Sequence, residues 1–292
     1  MNIVSVYETF PDEKDCLNHI KKVRWHGNPT CPYCQSAKIT PKPKEDRYHC
    51  NNCNTPFSVT VKTIFHHTHL PLQKWFLAIS IVLNAKKGIS ARQLGRDLQI
   101  NKDTAWRMAM KIRQAMSQQT QRELLTGIVE MDETYIGGKP RKGSGNGIPL
   151  KRGRGTKKTP VVGMIEREGE GQIRAKVIKN KKLNIKTLNS LVRENVDTEN
   201  TTLITDEYRG YFGIKRLMPH KVIDHTVWYV NGDAHTNNIE SFWALLKRGI
   251  VGQYHKVSLR YLPKYIDEFC YRHNNRKNED IFGLTLQRAL GV

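Results

Sequence analysis

Two short cysteine pairs constrain the N-terminal part of this chain more than any other feature. Cys31 stands three residues before Cys34, and Cys50 stands three residues before Cys53. Each pair fits a tight turn, and two such turns can surround one Zn²⁺ ion with four thiolates. A module this small buries too little apolar surface to fold alone, so zinc would supply its folding energy. The spacing therefore predicts a zinc ribbon, and the alternative is four unpaired, buried cysteines.

The predicted zinc has a structural role, and the other cysteines and the histidine cluster are not expected to bind a metal. Four thiolates fill a tetrahedral site and leave no open position, so the predicted zinc is structural. Cys16 and Cys270 have no partner nearby in the sequence and are expected in the core. The histidines of residues 66–69 are too close in sequence to converge easily on one ion, and we expect polar surface there.

The chain carries a large excess of positive charge. Its 292 residues include 48 Lys and Arg against 27 Asp and Glu, which gives a formal net charge of +21. Such a surface attracts a polyanion, and the commonest large polyanion is nucleic acid. A neutral metabolic enzyme is therefore not the default. No apolar run approaches the roughly 18 residues of a membrane span, so we expect a cytoplasmic, nucleoid-associated protein.

The pattern along the chain suggests three domains. We expect an N-terminal helix and the zinc ribbon in residues 1–68, a helical DNA-binding region in 69–125, and a catalytic domain in 126–292. Apolar periodicity predicts helices over residues 11–25 and 72–85. A chain of this length suits two or three domains.

Residues 90–108 read as two helices joined by a short turn. Apolar side chains from both helices are expected to pack together: Leu94, Leu98, Ala105 and Met108. Three side chains would then point outward, where a recognition helix meets phosphates and base edges: Lys102, Thr104 and Arg107. Any antiparallel helical hairpin produces this pattern, so the net charge is what favours DNA contact.

From residue 127 onward, short β-rich runs alternate with helices. The predicted strands are residues 127–136, 161–165, 173–178, 202–205 and 222–224, and the predicted helices are 185–194, 238–248 and 259–274. Between the first two strands, residues 139–159 are rich in glycine and basic residues and contain no acid. We expect a mobile basic loop that follows a DNA backbone.

Three acids in this region are candidate metal ligands. Asp132 lies inside a β-rich run, where a carboxylate is disfavoured unless something such as a metal compensates it. Alternation places Glu130 on the same face, so Glu130 is a rival ligand. Asp206 ends a strand, and Glu240 opens a helix with Lys247 on the same face.

Each acid also has a plain structural explanation. Asp132 could be an edge-strand charge, and Asp206 could be a turn residue or a helix N-cap. Glu240 could be the third residue of a capping box whose cap is Asn237. What favours a shared site is the combination, in which two strands and a later helix each supply one acid.

The motifs resemble those of the DDE transposases of bacterial insertion sequences, in the family with an N-terminal zinc ribbon that is related to Merlin elements. The matching segments are the four cysteines and residues 129–139, 205–208 and 235–243. The resemblance implies an α/β fold, with a ribonuclease H-like mixed sheet flanked by helices. It places the family's catalytic acids on Asp132, Asp206 and Glu240. Because the third position varies in the family, the role could be shared by Asn237, Asn238 or His235.

The resemblance also implies the chemistry. The three carboxylates would hold two Mg²⁺ or Mn²⁺ ions around one scissile phosphate. Water would free a 3′-hydroxyl at the element's end, and that hydroxyl would attack target DNA. Lys247 and Arg248 would contact DNA beside the metals, and pairing of two ends implies a homo-oligomer, at least a dimer. The alternatives are a DNA-binding regulator that uses no catalysis and a ribonuclease H-like nuclease that hydrolyses without joining.

Overall fold

A computed structural model describes residues 1–117, 123–138, 156, 158–169, 171–179, 183–223 and 236–292. The chain divides into two compact units. The first unit comprises Met1–Met116 and Lys277–Val292, and the second comprises Ser117–Arg276. Most of the predicted basic loop, residues 139–159, lies outside the described residues. No helix in the part of the chain that the structure describes is long and apolar enough to cross a membrane.

The first unit opens with two helices and a small sheet. Helix α1 spans Ile3–Thr9, and helix α2 spans Glu13–Trp25, where the Asp12 side chain caps the first turn by accepting the Asp15 amide at 2.8 Å. The sheet is antiparallel and has the order β1-β2-β3: Ile39–Lys42, Arg47–Cys50 and Thr55–Ser58. Strands β1 and β2 form a hairpin between the two cysteine pairs, and β3 extends it.

Three helices follow the sheet: α3 (Leu72–Asn84), α4 (Ala91–Asp97) and α5 (Lys102–Ala115). The four apolar side chains predicted to join α4 and α5 are all buried, which confirms the helical hairpin. The two helices approach closely at Gly95, where an added Cβ would lie 2.9 Å from the Ile100 carbonyl oxygen.

The last helix, α9 (Ile281–Leu290), completes the first unit by packing on α2, α3 and α5. The Ile64 amide donates a hydrogen bond to the Ala289 carbonyl at 3.1 Å, and Phe282 packs edge-on against Phe76. The expected division into three domains stays a prediction, but this segment packs in the first unit, although the sequence placed it with the catalytic domain.

A five-stranded mixed sheet forms the centre of the second unit. Its strands, in chain order, are β4 (Leu125–Ile136), β5 (Thr159–Glu166), β6 (Ile173–Val177), β7 (Val196–Asp206) and β8 (His220–Ile223). Their order across the sheet is β6-β5-β4-β7-β8. Strand β5 runs antiparallel to both neighbours, whereas β4, β7 and β8 are parallel. The helices of the second unit are α6 (Ile185–Asn195), α7 (Asn237–Gly252) and α8 (Leu262–Asn274). This confirms the predicted α/β class and the mixed sheet flanked by helices.

Alternation along β4 separates its apolar and acidic side chains. Val129 and Met131 are fully buried in an apolar cluster with Val192 of α6. On the other face of the sheet, Glu130 and Asp132 receive hydrogen bonds from α7. The pattern predicted for this strand is confirmed, and it directs two acids toward the same helix.

Candidate active site

The four paired cysteines converge on one point in the first unit. Their sulfur atoms all lie within 4.8 Å of one another. The Cys31 and Cys53 sulfurs are 3.7 Å apart, and those of Cys34 and Cys50 are 3.5 Å apart. A tetrahedral zinc site with Zn–S bonds of about 2.3 Å places its sulfurs about 3.8 Å apart, so this cluster fits zinc and not disulfides. A hydrogen bond from the Ser36 backbone lowers the pKa of the Cys34 thiol to about 6, which favours the metal-binding thiolate.

Cys16 and Cys270 lie in the core, as the sequence predicted, and the histidines of residues 66–69 are exposed or half-buried. Cys16 and Cys270 are fully buried. Burial and the nearby acids Glu13 and Asp15 raise the pKa of the Cys16 thiol to about 12, so it is unreactive. His66 and His67 stack at 3.9 Å, and the histidines at 66–69 belong to neither potential metal cluster among the described residues.

In the second unit, acids from neighbouring strands meet. Asp132 lies inside β4, two residues beyond the last pair that β4 makes with the parallel strand β7, and Asp206 ends β7 beside it. Together with Glu133, each offers one carboxylate oxygen, and these three oxygens lie within 4.8 Å of one another. Asp132 accepts a hydrogen bond from the Trp243 indole at 3.1 Å, and Asp206 accepts one from the Tyr208 amide, also at 3.1 Å.

Glu133 was missed by the sequence analysis as a member of this group. Alternation along β4 assigned it to the opposite face from Asp132, yet one of its oxygens reaches the cluster. Its Oε2 accepts a hydrogen bond of 2.6 Å from the hydroxyl of Tyr211, which is fully buried in the 3-10 turn after β7. The signal in the sequence was the adjacency of two acids within one predicted strand.

The surroundings of this site strongly raise the pKa values of Asp132 and Tyr211. Burial raises the pKa of Asp132 to about 7, and the charges of Glu133, Asp206 and Glu240 act in the same direction. Burial and the charge of Glu133 also raise the pKa of Tyr211 well above its usual value. A pocket that concentrates negative charge to this degree favours a bound cation.

Glu240 lies beside this group, in the exposed first turn of α7. Its charge acts on Asp132, but its oxygens are not among those that lie within 4.8 Å of one another. Glu240 accepts a hydrogen bond of 3.0 Å from the Thr236 hydroxyl, and its amide donates to the Thr236 carbonyl. The N-cap of α7 is therefore Thr236, so the capping box with Asn237 as its cap was wrong.

The residues that were alternatives to Glu240 have different positions. Asn237 and Asn238 are exposed at the start of α7, where the Asn238 side chain donates to Glu130 at 3.1 Å. His235 lies outside the described residues. The rival ligand Glu130 is fully buried and binds the start of α7 and Arg167.

The residues predicted to contact DNA are accessible. Lys102 and Arg107 are exposed on α5, and Thr104 is half-buried between them. Lys247 and Arg248 are exposed on α7, in the turns that follow Glu240. Their contact with DNA stays a prediction.

Two family models match this chain. Residues 124–274 match the ISXO2-like transposase domain, and residues 11–56 match the transposase zinc-ribbon domain. The chain belongs to the ISXO2-like transposase family. The predicted membership in a family of insertion-sequence transposases with a zinc ribbon is thereby confirmed. The four cysteines of this transposase form its structural zinc site, because the zinc-ribbon match encloses a cluster whose spacing suits that ion.

Known proteins similar to this transposase come from other mobile elements. An uncharacterized protein in transposable element ISH50 of Halobacterium salinarum is 29% identical over 279 residues, which cover 91% of this chain and 92% of the relative. Among solved structures, a pre-cleavage Mos1 transpososome is 14% identical and covers 73% of this chain and 77% of its own, with a TM-score of 0.28. The Mos1 strand transfer complex is also 14% identical and covers 69% and 74%, with a TM-score of 0.30.

Proposed function

We propose that this transposase binds the two ends of an insertion sequence and cuts and joins DNA at a site formed by Asp132, Asp206 and Glu240. The observation that carries the proposal is the meeting of Asp132 and Asp206 on neighbouring parallel strands, beside the helix that bears Glu240. The family membership supplies the reaction class, which is polynucleotidyl transfer.

The donor set fits Mg²⁺ or Mn²⁺. Carboxylate oxygens are the ligands that these hard cations prefer. Burial, and after it the charge of Glu133, raises the pKa of Asp132, and a bound cation would stabilise the ionised carboxylate there. We assign metal binding to Asp132 and Asp206 from the sheet and to Glu240 from α7. Bound divalent ions would activate the attacking oxygen and stabilise the leaving oxygen at the scissile phosphate.

The surrounding residues hold these acids in place. Trp243 binds one oxygen of Asp132, so that carboxylate is oriented from α7. The Tyr208 amide orients Asp206, and the Tyr211 hydroxyl orients Glu133. Held in this way, the carboxylates need little rearrangement when they bind the metal ions.

DNA binding is assigned to both units. In the first unit we propose that the zinc ribbon and α5 bind the ends, with Lys102, Thr104 and Arg107 facing the DNA. In the second unit Lys247 and Arg248 follow Glu240 on α7 and would bind phosphates next to the reacting bond. The predicted basic loop would add backbone contacts. Holding two ends together requires at least a dimer, so a homo-oligomer is part of the proposal.

A supercoiled plasmid and labelled oligonucleotides that carry the element's ends test the reaction. Joined products in Mg²⁺ support the transposase reaction, whereas hydrolysis without joining indicates a nuclease. Binding without either product indicates a regulator.

Asp132→Asn or Asp206→Asn should abolish cleavage and leave end binding intact. Asp197→Asn, a change at a half-buried residue near the start of the strand that Asp206 ends, is the matched control and should cleave normally.

A further inference from the structure

The helix that carries Glu240 is anchored to the sheet by a buried carboxylate. Glu130 is fully buried, two residues before Asp132 on β4 and on the same face. Its Oε2 accepts the backbone amides of Asn238 and Ile239, each at 3.0 Å. Its Oε1 accepts the Asn238 side chain at 3.1 Å and Arg167 Nε at 2.8 Å.

These contacts satisfy groups that a helix otherwise leaves without partners. The first amides of a helix have no acceptor within the helix, and the partial positive charge there favours an anion. The Thr236 side chain makes no capping bond to these amides. A carboxylate from another element takes that role, and the Arg167 guanidinium balances its charge in the buried position.

The sheet also lets α7 approach closely at this point. Gly163 of β5 pairs directly with Asp132, and a Cβ at Gly163 would lie 2.6 Å from the Trp243 ring and 2.9 Å from Ile239. The absent side chain leaves the space that Trp243 occupies, and the Trp243 indole donates to Asp132 from there. Two contacts near Asp132 therefore hold α7 against the sheet: the hydrogen bonds to Glu130 and the packing of Trp243 against Gly163.

We propose that Glu130 is a positioning residue that fixes the first turn of α7 and thereby holds Glu240 beside Asp132 and Asp206, from where it can join them in binding metal. The inference rests on the proposed function of these three acids. The amides of Asn238 and Ile239 that Glu130 binds immediately precede Glu240. A shift of this first turn of α7 therefore moves Glu240 by nearly the same distance. Glu130 itself touches neither substrate nor metal in this account.

Glu130→Gln tests the proposal. The amide keeps the size of the side chain but leaves one oxygen for the four donors, and its own NH₂ group faces amides and a guanidinium. Glu166→Gln is the matched control. The Glu166 carboxylate also accepts two backbone amides, from Thr126 at 2.9 Å and Gln172 at 3.2 Å. Both of these donors lie outside α7.

Two measurements separate positioning from a general structural role. The first is amide hydrogen exchange at Asn238 and Ile239 without metal or DNA, which should accelerate in Glu130→Gln and not in Glu166→Gln. The second is cleavage at saturating DNA as a function of Mn²⁺. We expect the half-saturating Mn²⁺ concentration to rise, or the turnover rate to fall, by about 10- to 100-fold in Glu130→Gln, with the KM for DNA unchanged. The milder variant Arg167→Lys should shift both measurements in the same direction by a smaller factor, and it serves if Glu130→Gln fails to fold.

The outcomes are distinct. Wild-type exchange and wild-type Mn²⁺ dependence in Glu130→Gln would overturn the inference, as would an equal loss in Glu166→Gln. Loss of cleavage with the Asn238 and Ile239 amides still protected would also overturn it. If the wild-type protein neither binds Mn²⁺ nor cleaves DNA, the proposed function fails, but the exchange measurement still decides whether Glu130 holds the helix.

Discussion

Replacing Asp132 with asparagine should stabilise the metal-free protein while it destroys the proposed site. Burial, with Glu133 and then Asp206 and Glu240 contributing, raises the pKa of the Asp132 carboxyl from 3.8 to about 7 in the folded chain. The folded protein therefore retains a proton that the unfolded chain releases as the pH rises from about 4 to about 7. The stability that the folded protein gains from this bound proton at low pH is therefore lost as the pH rises from about 4 to about 7.

The size of the effect follows from the pKa difference. Each unit corresponds to about 1.4 kcal/mol, so the ionised carboxylate costs the folded state about 4 kcal/mol at pH 8. Asparagine has nearly the same shape, carries no charge and can still accept the Trp243 hydrogen bond. In a unit of this size, about 4 kcal/mol raises the melting temperature by about 8 to 16 °C.

Calorimetry in EDTA at pH 4 and at pH 8 checks this prediction. The Asp132→Asn protein should melt higher than the wild type at pH 8, and the two should converge near pH 4. Saturating Mg²⁺ should raise the melting temperature of the wild type and leave the variant unchanged. Asp197, whose pKa is lowered by the Asn200 side chain, is the control, and Asp197→Asn should give no gain at pH 8. An Asp132→Asn protein that is no more stable than the wild type at pH 8, or a gap that is independent of pH, would refute the reasoning.

Three further changes, the first with its own control variant, give separate tests. Gly163→Ala places a Cβ 2.6 Å from the Trp243 ring and should cost about 1 to 3 kcal/mol and slow cleavage, measured by urea unfolding and by the cleavage assay. Gly252→Ala has open space at its Cβ and should do neither; equal losses in both would argue against close packing of α7. Cys50→Ser should lower the zinc content and end binding, and a normal zinc content in that variant would contradict the assigned site. Lys247→Ala should reduce the slope of log affinity against log salt by about 1, and an unchanged slope would remove that phosphate contact.

Features that depend on local spacing were predictable from the sequence. Two residues between paired cysteines encode a chelating turn, so Cys31 and Cys50 identified the ribbon without knowledge of the rest of the chain. The grouping of Asp132 with Asp206 was expected from the family resemblance, whereas the side-by-side parallel pairing of β4 and β7 that brings them together came only from the structure.

Features that depend on distant partners were not predictable. Helix α9 was missed because its burial comes from α2, α3 and α5, which are far away in sequence. Strand β3 contains Pro56, which weakens the strand signal and suits an edge strand. The role of Glu130 depends on amides 108 and 109 residues further along the chain, so alternation indicated its face but not its partners.

The most direct test of the account is the anomalous diffraction of Mn²⁺ in crystals of this transposase with a DNA end. We predict manganese peaks in contact with the carboxylates of Asp132, Asp206 and Glu240 beside the scissile phosphate. No manganese at these acids, or manganese held by Asp132, Asp206 and Glu133 with Glu240 remote, would contradict the assignment of the three ligands.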